Sequence, residues 1–235
     1  MNIRPTINLA LGLLAALSLI SMLSGTATAA SEQQVHPELL SLQIKQKPLL
    51  RKLGDRVFAT EFIGYSNHGF IEGEDGIIVV DGGWFPGTTA IAIAELRKYT
   101  DKPVAAIIYT HLHLDHFGGM GPIMAGQVGE IPVYGPAGWQ KWVTRLQKND
   151  RESILRRVYL QMGMLLPQGA EGTVGNGIGP SPIPEPNDPL SYPPNIDVSH
   201  TLDLEIAGVP LRIMPMEGDV TEHLWVWLPQ DKILF

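Results

Sequence analysis

The 235-residue sequence contains no cysteine. This absence excludes disulfide-stabilised scaffolds, thiolate metal sites and cysteine nucleophiles, and leaves nitrogen and oxygen side chains for metal binding or acid–base chemistry. Charged residues are also few, at 17%, and the formal net charge of -7 makes the chain a poor partner for anionic surfaces, so we expect no nucleic-acid partner. The hydrophobic share of 44% is enough for one sizeable buried core.

The first 29 residues have the features of an export signal. Arg4 supplies a positive charge ahead of an apolar run from Ile7 to Leu23, and small residues at 27–29 form a cleavage site. An uncleaved anchor is the alternative, but no basic cluster follows the apolar run. We therefore expect a cleaved signal peptide over residues 1–29 and a periplasmic or secreted protein that contacts a membrane only through this signal.

Residues 57–235 alternate between strand and helix patterns and are assigned to one domain, preceded by an N-terminal extension over residues 30–56. Glycine-punctuated, β-branched runs from Val57 onward predict antiparallel strands. A helix over residues 88–99 and a strand over residues 104–109 complete a strand–helix–strand unit, which indicates the mixed α/β class. The other predicted elements are a strand near 131–134, a helix over 139–162, a Gly- and Pro-rich loop over 167–194, and strands over 201–206, 209–214, 224–228 and 232–235.

The strongest chemical signal is an HxHxDH motif directly after the predicted strand 104–109, formed by His111, His113, Asp115 and His116. If strand geometry continues through His113, the first two histidines point to the same side and can bind one cation. Asp115 and His116 lie on the following turn and can reach a second cation about 3.5–4 Å away. Imidazole and carboxylate ligands suit Zn²⁺, with Mn²⁺ or Fe as alternatives. Surface histidines without a metal are the competing interpretation.

The other histidines are isolated in the sequence. His36, His68 and His200 each stand far from any other histidine in the sequence, and such residues usually have structural or surface roles. We therefore assign no metal to these three.

The segment HLHLDHFGG, with GIIVVDGG upstream, resembles the metallo-β-lactamase superfamily. This resemblance implies an αβ/βα sandwich of mixed sheets flanked by helices, with one or two metal ions held at its edge. It also implies that Asp81 lies beside the site and supports the ligands through hydrogen bonds.

Within that superfamily, residues 67–235 are similar to the linear alkylsulfatases, notably in LLPQGAEGTVGNGIG and HLWVWLPQDKILF. The resemblance implies a zinc-dependent hydrolase of alkyl sulfate esters that acts on a small anionic substrate, with a metal-activated water as nucleophile and Asp115 beside that water. It implies two zinc ions per complete site, and one or none in this chain. The alternatives are another hydrolase of the same fold, acting on a β-lactam, lactone or other ester, and an inactive metal-binding fragment.

The end of the sequence bears on the remaining ligands. Many superfamily members carry a ligand histidine in a turn that here reads Glu217-Gly218-Asp219-Val220. Asp219, Glu222 and His223 are therefore secondary candidates, with the last two interpreted as caps of that turn. In the alkylsulfatases further ligands and a dimerisation region follow the position of Phe235, so we expect a truncated domain, incomplete at its C-terminus, and a homodimer where that region is present.

Overall fold

The computed structural model describes residues 35–145, 147, 151–175, 179–180, 183–186, 188–218 and 220–235. The predicted signal peptide lies outside this part of the chain. Within these ranges, no helix is both long enough and apolar enough to span a bilayer.

A seven-stranded sheet, sheet A, forms the centre of the fold. Its strands follow one another in chain order; the first four are antiparallel, and the last four are parallel to one another. The strands are β1 Leu49–Lys52, β2 Val57–Glu61, β3 Gly69–Glu72, β4 Ile77–Val80, β5 Val104–Ile108, β6 Val133–Pro136 and β7 Ile196–Val198.

The centre of sheet A is buried on both faces. All four residues of β4 are buried and apolar, and β5 is nearly so, a composition that suits parallel strands covered on both sides. Helix α2, Pro86–Leu96, connects β4 to the parallel strand β5 and begins with proline, which is pre-set for the first helical turn. This arrangement confirms the predicted strand–helix–strand unit, although the helix begins and ends earlier than the predicted range of 88–99.

A second sheet, sheet B, packs on one face of sheet A. It is antiparallel, in the order β11-β10-β9-β8, with strands β8 Leu202–Ile206, β9 Val209–Met216, β10 His223–Leu228 and β11 Ile233–Leu234. Every second residue of β10 is buried, the period expected for a strand with one covered face.

Alternate residues of sheet A enter two different cores. Val79 and Ile107 pack with helix α2 in one cluster, whereas Val80 and Ile108 pack against sheet B in the other. Because successive side chains of a strand point to opposite faces, one sheet serves both layers. The mixed α/β class with two sheets and flanking helices is therefore confirmed.

Short helices occupy the connections around sheet A. They are α1 Pro37–Lys45, α3 Leu114–Phe117, α4 Gly121–Met124, α5 Trp139–Arg145 and α6 Arg151–Gln161. The single helix predicted over 139–162 is described as α5 and α6, and residues 146 and 148–150 between them lie outside the described part. The predicted loop 167–194 contains no helix or strand among its described residues.

Two strands were not predicted. β1 falls within the predicted N-terminal extension and pairs with β2 from Leu49 opposite Glu61 to Lys52 opposite Phe58. β7 has three residues and pairs with β6. Both are too short for an alternating pattern to stand out, and their partners are what fix them as strands.

Candidate metal centre

The predicted motif lies where two parallel strands end side by side. Asp81 directly follows β4, and the motif follows β5, so the carboxyl ends of neighbouring strands bring both segments together. His113 has an extended backbone, and the next residue begins helix α3, which carries Asp115 and His116. The backbone of His113 itself is therefore extended, although the chain bends at Leu112 between the two histidines.

Asp81 is the buried anchor of the site. Its side chain accepts hydrogen bonds from the Thr110 backbone N–H at 2.8 Å and from the Thr110 hydroxyl at 2.7 Å. The same carboxylate accepts a bond from His116 Nδ1 at 2.7 Å. Asp81 thus lies beside the motif and contacts His116 directly, while its role in supporting metal ligands stays a prediction.

The four motif side chains form two pairs of donor atoms. His111 Nε2 lies 3.1 Å from His113 Nδ1, and His116 Nε2 lies 3.3 Å from Asp115 Oδ2. Two ligands of one tetrahedral zinc, each about 2.0–2.1 Å from the metal, are separated by about 3.3 Å. The division into pairs is the one that strand alternation predicts, while metal binding by these residues stays a prediction.

His223, a secondary candidate in the sequence, lies beside the motif. It is the first residue of β10, it forms an isolated bridge with His111, and the two ring centroids lie 4.9 Å apart. Its interpretation as a cap of the turn before β10 stays a prediction. The sequence showed only a histidine next to the predicted strand 224–228. Its pairing with the motif is a long-range contact that local patterns do not reveal.

The electrostatics of the site differ sharply between neighbouring histidines. Burial, followed by the charge of His116, lowers the pKa of His111 to about 4. Burial also acts to lower the pKa of His116, but the negative charges and hydrogen bonds of Asp81 and Asp115 outweigh it and raise that pKa to about 10. For Asp115, burial acts to raise the pKa, and the hydrogen bond and charge of His116 bring it below its usual value. A cation bound here would therefore displace the His116 proton.

The donor set suits zinc in its chemistry. Imidazole nitrogens and carboxylate oxygens are ordinary zinc ligands, and two donor pairs have the required spacing. Among the described residues, however, no three histidine, aspartate or glutamate side chains converge on a single point that a metal ion could occupy. The geometry of the described side chains therefore fits zinc for each pair of ligands, and not for a set of three.

Backbone hydrogen bonds tie the motif to the loop that follows β4. Gly82 N–H donates to the His116 carbonyl at 2.6 Å, and Gly119 N–H donates to the Gly83 carbonyl at 2.9 Å. From the loop between β2 and β3, the Ser66 hydroxyl donates to the Asp115 carbonyl. Two segments that are distant in sequence thus hold helix α3 in place.

The isolated histidines have the structural or surface positions that were predicted for them. His68 is buried between the hydroxyls of Thr60 and Thr89, each 3.3 Å from a ring nitrogen, and burial lowers its pKa to about 4. His36 caps helix α1, and His200 is exposed.

Of the remaining secondary candidates, the structure describes Glu222 alone. Glu222 is exposed and bonds to the neighbouring Thr221, and the hydrogen bond with this threonine lowers its pKa. Asp219 lies outside the described residues.

The chain belongs to the metallo-beta-lactamase superfamily, whose sequence model matches residues 63–235. A solved structure has a similar fold. The stereoselective inverting sec-alkylsulfatase Pisa1 from Pseudomonas sp. aligns with a TM-score of 0.73 at 23% identity, covering 85% of this chain and 32% of that chain. At this identity the likeness concerns the fold.

Two curated relatives place the chain near the alkylsulfatases. An (R)-specific secondary-alkylsulfatase of Pseudomonas sp. is 28% identical over 72% of this chain and 26% of its own length. An alkyl/aryl-sulfatase of Saccharomyces cerevisiae is 30% identical over 79% of this chain and 29% of its own length. The predicted resemblance to alkylsulfatases is confirmed, and the chain spans less than a third of the length of each relative.

Proposed function

We propose that this chain carries the metal centre of a zinc-dependent hydrolase of alkyl sulfate esters. The observation that carries the proposal is the pairing of donor atoms beside the buried Asp81 carboxylate, His111 with His113 and Asp115 with His116. Membership of the metallo-beta-lactamase superfamily supports hydrolysis, and the names of the two sulfatase relatives support the sulfate ester as substrate.

Each side chain has a separate task in this proposal. His111, His113, Asp115 and His116 hold the zinc, which when bound lowers the pKa of a water towards neutrality and polarises the ester. Asp115 also orients the attacking water through a hydrogen bond. Asp81 holds the His116 ring so that Nε2 faces the site.

The substrate class can be tested with two esters. Purified, zinc-loaded protein is assayed for sulfate release from dodecyl sulfate and for opening of a chromogenic cephalosporin. We expect turnover of dodecyl sulfate, its loss in His116→Ala and its retention in His200→Ala, which changes an exposed histidine. Turnover of the cephalosporin alone would contradict the proposal and favour another hydrolase of the same fold.

A second candidate is a metal-binding chain without turnover. It is favoured by the finding that no three ligand side chains converge within the described part of the chain. Zinc that is retained through dialysis while both esters stay intact would support this candidate over the hydrolase.

We propose in addition that the protein is exported, on the strength of the apolar run at residues 7–23 and the small residues that follow it. N-terminal sequencing of protein recovered from the periplasm or medium should begin at residue 30. Recovery of the intact N-terminus from the cytoplasm would contradict export.

A further inference from the structure

Thr110 lies between strand β5 and the motif, and its backbone N–H and its hydroxyl both point to Asp81. Its backbone N–H donates to Oδ1 of Asp81 at 2.8 Å, and its hydroxyl lies 2.7 Å from Oδ2. The same hydroxyl oxygen lies 3.0 Å from Nδ1 of His111, and the Thr110 side chain is buried. One hydroxyl therefore contacts a carboxylate and an imidazole at the same time.

A count of protons gives the direction of these bonds. A threonine hydroxyl has one proton to donate, and an ionised carboxylate only accepts. The Thr110 hydroxyl therefore donates to Asp81 and accepts from the Nδ1–H of His111. A neutral imidazole carries a single N–H, so Nε2 of His111 keeps its lone pair, and this is the atom that lies 3.1 Å from His113 Nδ1.

The same carboxylate orients His116 directly, with no bridging hydroxyl. His116 Nδ1 lies 2.7 Å from Asp81 Oδ2 and 3.5 Å from the Thr110 hydroxyl, so the carboxylate is its closer partner. Nε2 of His116 then faces Asp115. Asp81 thus orients one imidazole of each donor pair, His116 directly and His111 across one hydroxyl.

We propose that Thr110 is a positioning residue. Its hydroxyl links the Asp81 carboxylate to His111 through two hydrogen bonds and so fixes the Nδ1–H tautomer of that ring. This inference rests on the metal site proposed above. Its physical basis is that a zinc-binding imidazole needs an unprotonated nitrogen, and the hydrogen bond at the other ring nitrogen decides which nitrogen that is. A purely structural Thr110 would stabilise the end of β5 and leave the tautomer of His111 unchanged on substitution.

The test uses the full chain, metal-free and labelled with ¹⁵N, in long-range ¹H–¹⁵N correlation spectra at neutral pH. We expect His111 to be protonated at Nδ1 in the wild type and in Thr110→Ser, which keeps the hydroxyl. In Thr110→Val, which keeps the shape and removes the hydroxyl, we expect the Nε2–H tautomer to appear. Because no metal is present, this readout is independent of the proposed activity.

Zinc affinity, measured by competition with a chromophoric chelator, gives a second readout. We expect Thr110→Val to weaken zinc binding by roughly 10–100-fold, the usual effect of removing a group that orients a metal ligand, and Thr110→Ser to restore it. Circular dichroism verifies that each variant folds. If Thr110→Val does not fold, the test rests on the wild type and Thr110→Ser, because the inference requires the Nδ1–H tautomer of His111 in both.

Two results would overturn the inference: an Nε2–H tautomer of His111 in the wild type, or wild-type zinc affinity in a folded Thr110→Val variant. A wild-type protein that shows the Nδ1–H tautomer but binds no zinc would support the hydrogen-bond relay and contradict the proposed metal site. The failure of one proposal is thereby distinguishable from the failure of the other.

Discussion

Asp81 combines a left-handed backbone, with φ of 62°, and a buried carboxylate that accepts three hydrogen bonds. Asparagine tolerates this backbone region as aspartate does, so Asp81→Asn removes the charge without adding backbone strain. We expect Asp81→Asn to fold and to bind zinc about 10–100-fold more weakly, as measured by chelator competition.

The matched control for this substitution is Asp197→Asn, which changes an exposed aspartate in strand β7. It should leave zinc affinity unchanged. Equal zinc affinity in Asp81→Asn and the wild type would show that the carboxylate does not support the ligands.

His68 predicts a pH dependence of stability. Burial lowers its folded-state pKa to about 4, below the ordinary value of 6.5, so the unfolded chain binds the proton more readily than the folded one. This contribution is therefore fully present above pH 6.5 and is lost as the pH falls towards 4. Between pH 7.5 and 4.5, we expect the wild type to lose about 2–3 kcal/mol of unfolding free energy more than His68→Gln does.

Urea denaturation at the two pH values measures this difference. Glutamine can bond to Thr60 and Thr89 without titrating, and His200→Gln, an exposed substitution, should behave like the wild type. Parallel pH profiles for wild type and His68→Gln would contradict a neutral, buried His68.

At the residue scale, the sequence was informative where ligands are close in the chain. The motif spacing was enough to pair His111 with His113, and Asp115 with His116, because strand alternation is a local property. His223 was only a secondary candidate, and its approach to His111 was not predicted, because it depends on a strand more than 100 residues away along the sequence.

At the element scale, the joint between helices α3 and α4 leaves no room for a side chain at Gly119. A Cβ there would collide with the Thr89 hydroxyl oxygen and would lie 2.6 Å from the Gly82 carbonyl oxygen and 2.9 Å from that of Phe85. Because two of these three neighbours are backbone atoms, the loop after β4 would have to move. We expect Gly119→Ala to lower the free energy of unfolding by about 1–3 kcal/mol in urea denaturation.

The adjacent helix supplies a matched control. A Cβ at Gly121, in α4, would meet nothing within 4 Å, so Gly121→Ala should be neutral or stabilise the protein by up to about 1 kcal/mol. Equal effects of the two alanine substitutions would contradict the close contact between α3 and the loop after β4.

Elements with strong local patterns were predicted well, and those defined by their partners were not. The apolar runs of β4, β5 and β10 are visible in the sequence because each is a short continuous hydrophobic stretch. β7 has only three residues, with a charged residue at its centre, and becomes a strand through its ladder with β6. Pairing of this kind is tertiary information.

At the scale of the whole molecule, a half-buried ion pair links the two sheets. Arg56, before β2 of sheet A, bonds to Asp231, before β11 of sheet B, with a shortest distance of 2.8 Å. We expect Asp231→Asn to lower the unfolding free energy by about 1–2 kcal/mol, because charged hydrogen bonds with limited solvent access contribute in this range.

The ion pair between Asp203 and Arg212 is the control, since it joins adjacent strands of one sheet and both side chains are largely exposed. Asp203→Asn should change stability very little. A larger loss in Asp203→Asn than in Asp231→Asn, by thermal or urea unfolding, would contradict the proposed link.

The two sheets also meet at the candidate metal centre. Leu224 N–H, in β10, donates to the Thr110 carbonyl at 2.7 Å, next to the bridge between His111 and His223. The sequence predicted two sets of strands and the motif but gave no indication that β10 pairs with the motif itself. Local sequence patterns were enough to predict the fold class. The contact between the two sheets at the motif could be seen only in the structure.

The most direct test of the account is the zinc content of the purified chain, measured by inductively coupled plasma mass spectrometry after dialysis in metal-free buffer. We predict about one zinc ion per chain in the wild type and in His200→Ala, and a clear loss in His111→Ala and His116→Ala. A wild type without zinc, or unchanged zinc in both motif variants, would contradict a metal centre at the ends of strands β4 and β5.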